Sequence, residues 1–214
     1  KEIINTIDDL IIEAHNLAYE KYKSEERKRG IPAISDYLRQ NLTDRVNSKE
    51  SAIKEVVKYF NEYDSFFLSL AQARKSRAGG TFEKILKGIF DATEIPYSYQ
   101  AVVNGKPDFI IPGKDQYMQS PQDTLIITLK RTTRERWRQV ATEGAKGFRF
   151  ILATIDKKIS QKSLDEMHDN QISLVIPQQI IDEKKVYQDS GIVYNFEWLF
   201  NKLIPNTLNL WEIL

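Results

Sequence analysis

Asp108 follows a proline in Lys-Pro-Asp-Phe at 106–109, and Lys130 ends the apolar run Ile-Ile-Thr-Leu-Lys at 126–130. An acid opening one strand and a lysine closing the next suit metal-assisted hydrolysis of a phosphodiester. That reaction needs a metal to polarise the phosphoryl oxygen and to lower the pKa of the attacking water, and a cation to steady the developing charge. Adjacent strands lie about 4.8 Å apart, so Asp108 and Lys130 are expected to converge at one sheet end. The ordinary pattern carries a second acid two residues before the lysine, where this chain has Thr128. Glu143, on the helix expected next, is the natural replacement, because a carboxylate one or two turns along that helix can point back over the strand ends. Glu83, on an earlier helix, is a second candidate. Each also has a bland reading: Asp108 a turn residue after Asn104-Gly105, Lys130 a solvated strand end, Glu83 a helix-start acid favoured by the dipole, Glu143 a surface position.

The segment after the lysine is basic. Lys130 to Arg138 holds five cations and one anion, although the whole chain has a net charge of only +1. Phosphate contacts act locally under salt screening, so the cluster outweighs the sum. Arg134, Glu135, Arg136 and Arg138 crowd the first turn of an expected helix, where cations oppose the dipole unless an anion sits there. Arg can grip guanine O6 and N7 bidentately and Glu can accept from cytosine N4, so the segment suits G·C pairs in a major groove. A solvated helix face is the alternative. Trp137 is expected to pack as core.

There is no cysteine and there are two histidines, His15 and His168. Thiolate sites and disulfides are thereby excluded, and a histidine-rich zinc site is disfavoured. The expected cofactor is Mg²⁺, a hard cation held by oxygen. No apolar run approaches the roughly 20 residues of a membrane helix. The first residues are amphipathic rather than signal-like, so a cytoplasmic protein without a membrane partner is expected. The first residue is Lys, not Met, so an upstream domain is left open.

These residues need elements to place them. Helices are expected over 1–29, with Gly30-Ile-Pro32 as the stop, over 34–42, and over about 48–73. In the last, Ile53, Val56, Val57, Phe60, Phe67, Leu68 and Ala71 form an apolar stripe. Tyr59, Phe60, Tyr63, Phe66 and Phe67 are expected to pack as core. Arg74 to Gly80 is expected to break the helix, and Thr81 to cap another through about Phe90. Strands are expected at 97–103 and 108–111 around an Asn104-Gly105 hairpin, then at 124–129, 148–153 and 173–176. A polar loop is expected at 114–123, and helices over about 134–145 and 164–169. The order implies an α/β fold: a mixed central sheet flanked by helices, with a helical N-terminal layer. Residues 1–73 are read as the helical part, dimerising or facing DNA, and 74–214 as the core of the same domain.

Taken together, Arg74-Lys-Ser-Arg77-Ala-Gly79 with Phe82-Glu83, Pro107-Asp108, and Thr128-Leu-Lys130 through Arg134-Glu-Arg-Trp-Arg-Gln139 to Glu143 resemble the EcoRII-type branch of type II restriction endonucleases, within the PD-(D/E)XK nuclease superfamily. The resemblance covers roughly residues 74–150. It implies a restriction-endonuclease-like fold in a prokaryotic cytoplasm, with the second acidic ligand moved from strand to helix. Asp108 and Glu143 would then hold the metal, Lys130 would orient the water, and Glu83 would be an additional acid. Arg134, Glu135 and Arg136 would read the G·C pairs of a CCGG, CCNGG or CC(A/T)GG duplex, with Arg138, Arg74 and Arg77 also at the DNA. A homodimer and an upstream effector domain are further implications. The alternatives are another nuclease of the superfamily and a DNA-binding module that has lost cleavage.

Overall fold

The computed structural model describes residues 4, 6–41, 48–103, 105–133 and 149–213. The chain divides into two compact units, residues 1–15 with 81–214, and residues 16–80.

The first unit is built on a mixed sheet of β1 (Ser98–Tyr99), β2 (Phe109–Ile111), β3 (Leu125–Leu129), β4 (Arg149–Ala153), β5 (Ile172–Val175) and β6 (Val193–Tyr194), in that spatial order. β1–β2 and β2–β3 are antiparallel, and β3–β4, β4–β5 and β5–β6 are parallel. The central strands are apolar runs because both faces are covered. On one face, Phe109, Ile111, Leu125, Ile127 and Ile151 pack with Phe82, Leu86 and Phe90 and with Phe196, Phe200 and Ile204 near the C-terminus. On the other, Ile110, Ile126, Phe150, Leu152 and Leu174 pack with Tyr117, Leu164, Met167 and Tyr187. The mixed sheet with flanking helices is the fold class expected from the sequence.

Two long helices, α1 (Ile7–Asn41) and α3 (Phe60–Ala92), and the shorter α2 (Lys49–Lys58) supply the second unit. Within residues 16–80 the Tyr37 ring meets those of Tyr59 and Tyr63 edge-on, with centroids 5.6 and 6.3 Å apart.

Several local expectations are corrected. Gly30-Ile-Pro32 does not stop α1, which carries Pro32 inside it. Proline removes one backbone bond, but a Cβ at Gly30 would lie 3.9 Å from Phe66 and 4.0 Å from Leu70, so packing continues across the site. Arg74 to Gly80 is helical as well, and Thr81 is buried inside α3 instead of capping a new helix. Helical glycine costs only about 1 kcal/mol, which a helix of this length absorbs. The first hairpin strand is two residues long, because Gln100 turns to φ 48°. The expected loop at 114–123 holds α4 (Lys114–Gln119) and a 3-10 turn (Pro121–Asp123), drawn in by the buried Tyr117. Of the aromatic residues assigned to core packing, Tyr59, Tyr63 and Phe66 are half-buried, whereas Phe60 is 68% and Phe67 52% exposed. The helix expected over 134–145, with Trp137, lies outside the described residues.

Asp8 joins distant elements of the first unit. Its carboxylate accepts the N–H groups of Gln178 (3.1 Å), Phe196 (3.0 Å) and Glu197 (3.0 Å), at the starts of α5 (Gln178–Asp182) and α6 (Phe196–Trp198). Burial holds its pKa above the ordinary carboxylate value, with the three N–H bonds offsetting only part of that rise. Replacing Asp8 with Ala strands those donors in a nearly dry site. The expected loss is about 2–4 kcal/mol, read from urea unfolding midpoints of the two proteins.

Candidate active site

β2 and β3 pair with Phe109 opposite Ile127, so the same register sets Asp108 opposite Thr128. Period-two alternation puts Asp108, Ile110, Ile126, Thr128 and Lys130 on one face. Lys130 keeps the ladder geometry, since its N–H donates to the Ala153 carbonyl at 3.0 Å. Asp108 then reaches across: its Oδ2 accepts the Leu129 N–H at 2.6 Å. The Asp108 carboxylate thus meets β3 at the residue before Lys130, which is half-buried. Thr128, where the ordinary pattern has an acid, is 4% exposed.

Glu83 arrives from α3. Its Oε2 accepts the Tyr99 hydroxyl at 2.9 Å and the Gln100 side-chain amide at 3.3 Å. The Tyr99 ring lies 5.3 Å from that of Phe109, the residue after Asp108. Burial, the bond to Glu83, and the charges of Glu83 and then Asp108 push the Tyr99 hydroxyl up to about 12. It is thus a donor throughout the neutral range. Glu83 is thereby tied to Tyr99 and Gln100, and the Gln100 N–H donates to the Asp108 carbonyl at 2.9 Å.

Beyond Lys130 the chain is pinned by residues that sequence reading missed. The Thr133 N–H and hydroxyl donate to Asp156 Oδ2 at 2.8 and 3.1 Å. The Thr154 hydroxyl donates to the Arg131 carbonyl at 3.4 Å and accepts from the Asp156 N–H at 3.0 Å. Asp156 Oδ1 also accepts the Lys158 N–H at 2.9 Å, a local turn typical of aspartate. An Asp-x-Lys after a buried strand was the available signal for the turn; nothing in the sequence announced its partner 23 residues earlier.

The remaining site residues fall in two groups. Glu143, Arg134, Glu135, Arg136 and Arg138 lie outside the described residues. Arg74 and Arg77 lie in the second unit, where Arg74 Nε is 2.9 Å from Glu26 Oε2 and Arg77 is exposed on α3. Among the described residues no three histidines or acids group as a full metal site. Asp108 and Glu83 carry oxygen donors, the ligand type a hard divalent cation takes.

A mixed sheet with an acid and a lysine on neighbouring antiparallel strands defines the restriction-endonuclease-like class of fold, and solved structures share it. Metal-depleted Ecl18kI in complex with uncleaved, modified DNA has a TM-score of 0.84 at 27% identity, over 97% of this chain and 71% of that one. The restriction endonuclease PspGI in its substrate DNA complex has a TM-score of 0.59 at 21% identity, over 91% and 93%, which shows the fold alone. The chain belongs to the EcoRII C-terminal family, whose model matches residues 35–195. It is 30% identical over 173 residues to the type II restriction enzyme SsoII of Shigella sonnei, covering 73% of this chain and 56% of SsoII. To the type II restriction enzyme EcoRII of Escherichia coli it is 31% identical over 132 residues, covering 58% and 33%. The chain thus spans about half the length of SsoII and a third of EcoRII.

The Asp156 clamp is testable without knowing the reaction. Asp156→Ala should speed amide exchange at Thr133 and Lys158 by about tenfold, the equivalent of one lost bond. Amides of β5 should exchange as before, as read by NMR.

Proposed function

We propose that the chain is the nuclease core of a type II restriction endonuclease that cuts double-stranded DNA at a palindromic CC/GG site (CCGG, CCNGG or CC(A/T)GG) with Mg²⁺. The observation that carries this reading is the Asp108 carboxylate bonded to the strand that ends in Lys130. Asp108, Glu143 and Glu83 are the residues that would hold the cation. When bound, Mg²⁺ would supply Lewis acidity at the phosphoryl oxygen and a more acidic water. Lys130 orients that water and offsets the charge that develops on the phosphate. Arg134, Glu135 and Arg136 read the G·C pairs, and Arg138, Arg74 and Arg77 meet phosphates. Ecl18kI is described metal-depleted and on uncleaved DNA, which supports metal dependence. The unmatched length of SsoII and EcoRII leaves room for an additional domain without placing it, and the homologues' bacterial sources support a prokaryotic cytoplasm.

A palindromic target demands two copies about a twofold axis. Among the described side chains of residues 16–80 none is buried, and Ile53, Val57, Phe60, Phe67 and Leu68 are each more than half exposed. Apolar exposure on that scale marks an interface, and a second copy of this chain is the occupant we assign to it.

Digestion of one plasmid with and without Mg²⁺, followed by sequencing of the fragment ends, tests the reading. Discrete fragments bounded by CC/GG sites are expected only with the metal. Asp108→Ala should slow cutting by about a thousandfold or more; cutting at the wild-type rate would remove Asp108 from the site. DNA bound but never nicked would instead favour the binding module that Thr128 hints at.

The dimer has its own measurement. Phe60→Asp is expected to shift the sedimentation-equilibrium mass from two chains towards one and to turn double-strand cuts into nicks. An unchanged mass would place the partner surface elsewhere.

A further inference from the structure

Glu83 sits on a helix, and its carboxylate ends a side chain with three rotatable bonds. A flexible acid holds a cation poorly unless neighbours fix it. Two neighbours do. The Tyr99 hydroxyl donates to Glu83 Oε2, the Gln100 amide donates to the same oxygen, and the Gln100 amide also donates to the Tyr99 oxygen at 3.0 Å. The three side chains form a closed triangle. Both bonds on Glu83 fall on Oε2, so among the described residues Oε1 keeps its lone pairs for a cation.

The triangle is anchored to the Asp108 strand. The Gln100 N–H donates to the Asp108 carbonyl at 2.9 Å, and the Tyr99 ring packs on Phe109. Gln100 holds φ at 48°, a left-handed conformation uncommon outside glycine, asparagine and aspartate. That turn carries its side chain to Glu83 while its backbone stays paired with Asp108. Resting on the reading of Asp108 and Glu83 as ligands, we infer that Tyr99 and Gln100 are positioning residues that hold the Glu83 carboxylate at the metal site beside Asp108.

The test uses the whole chain and Mn²⁺ as probe, followed by the paramagnetic resonance signal of the free ion, so that it does not depend on turnover. Asp108→Ala should lose uptake at the site. Equal uptake by wild type and Asp108→Ala would sink the metal reading itself. Given that difference, Tyr99→Phe is expected to weaken Mn²⁺ binding by about tenfold or more, with DNA affinity in the absence of metal unchanged. Gln100→Asn, which tolerates the same φ and falls one methylene short, should weaken it in the same direction. Adding Tyr99→Phe to Glu83→Gln should change little further, since both remove one interaction. Wild-type Mn²⁺ affinity in Tyr99→Phe and Gln100→Asn, beside a clear loss in Asp108→Ala, overturns the inference. Should Tyr99→Phe fail to fold, Gln100→Asn alone decides it.

Discussion

The 2.6 Å hydrogen bond from the Leu129 N–H to the Asp108 carboxylate is the interaction on which the site depends. It crosses from β2 to β3 at the point where the antiparallel ladder ends. A slip of one residue in the β2–β3 register would turn Asp108 to the opposite face of the sheet. Register is therefore held by the buried side chains around it. Phe109, Ile110 and Ile111 are all fully buried, opposite Ile127, Ile126 and Leu125. The chemistry at one end of the sheet is the end-product of apolar packing along its length.

β3 is also where the sheet changes character, antiparallel on one side and parallel on the other. Its carboxyl end carries Lys130, and the carboxyl end of its parallel neighbour carries Thr154 and Asp156, which grip Arg131 and Thr133. Open α/β sheets place ligands beyond the carboxyl ends of strands, and here that location also controls the start of the basic segment. Asp108, Lys130 and the start of the basic segment at Arg131 thus lie on one scaffold.

The central strands were legible because buried parallel strands leave continuous apolar runs; the edge strand β6, two residues long, was not expected. β3, β4 and β5 appear within a residue of where composition and period set them. Helix boundaries were less legible. Gly30, Pro32 and Gly80 look like punctuation, yet α1 and α3 run through them, because local propensity is weak beside packing over many turns. The stripe through Phe60 and Phe67 was read as core for the opposite reason: period shows that a face is apolar, not what covers it.

By itself the sequence determined the ingredients: an acid after a proline, a lysine ending an apolar strand, an empty acid position at Thr128, and a cluster of cations beyond. Only the tertiary structure decided which of these meet. It joined Asp108 to the backbone beside Lys130 and tied Glu83 to Tyr99 and Gln100, and it clamped Thr133 to Asp156. The partners in these bonds are separated by 16 to 23 residues. Spacing along the chain carries little information at that range, because hydrogen bonds need their atoms within about 3 Å and angles that only the finished sheet provides.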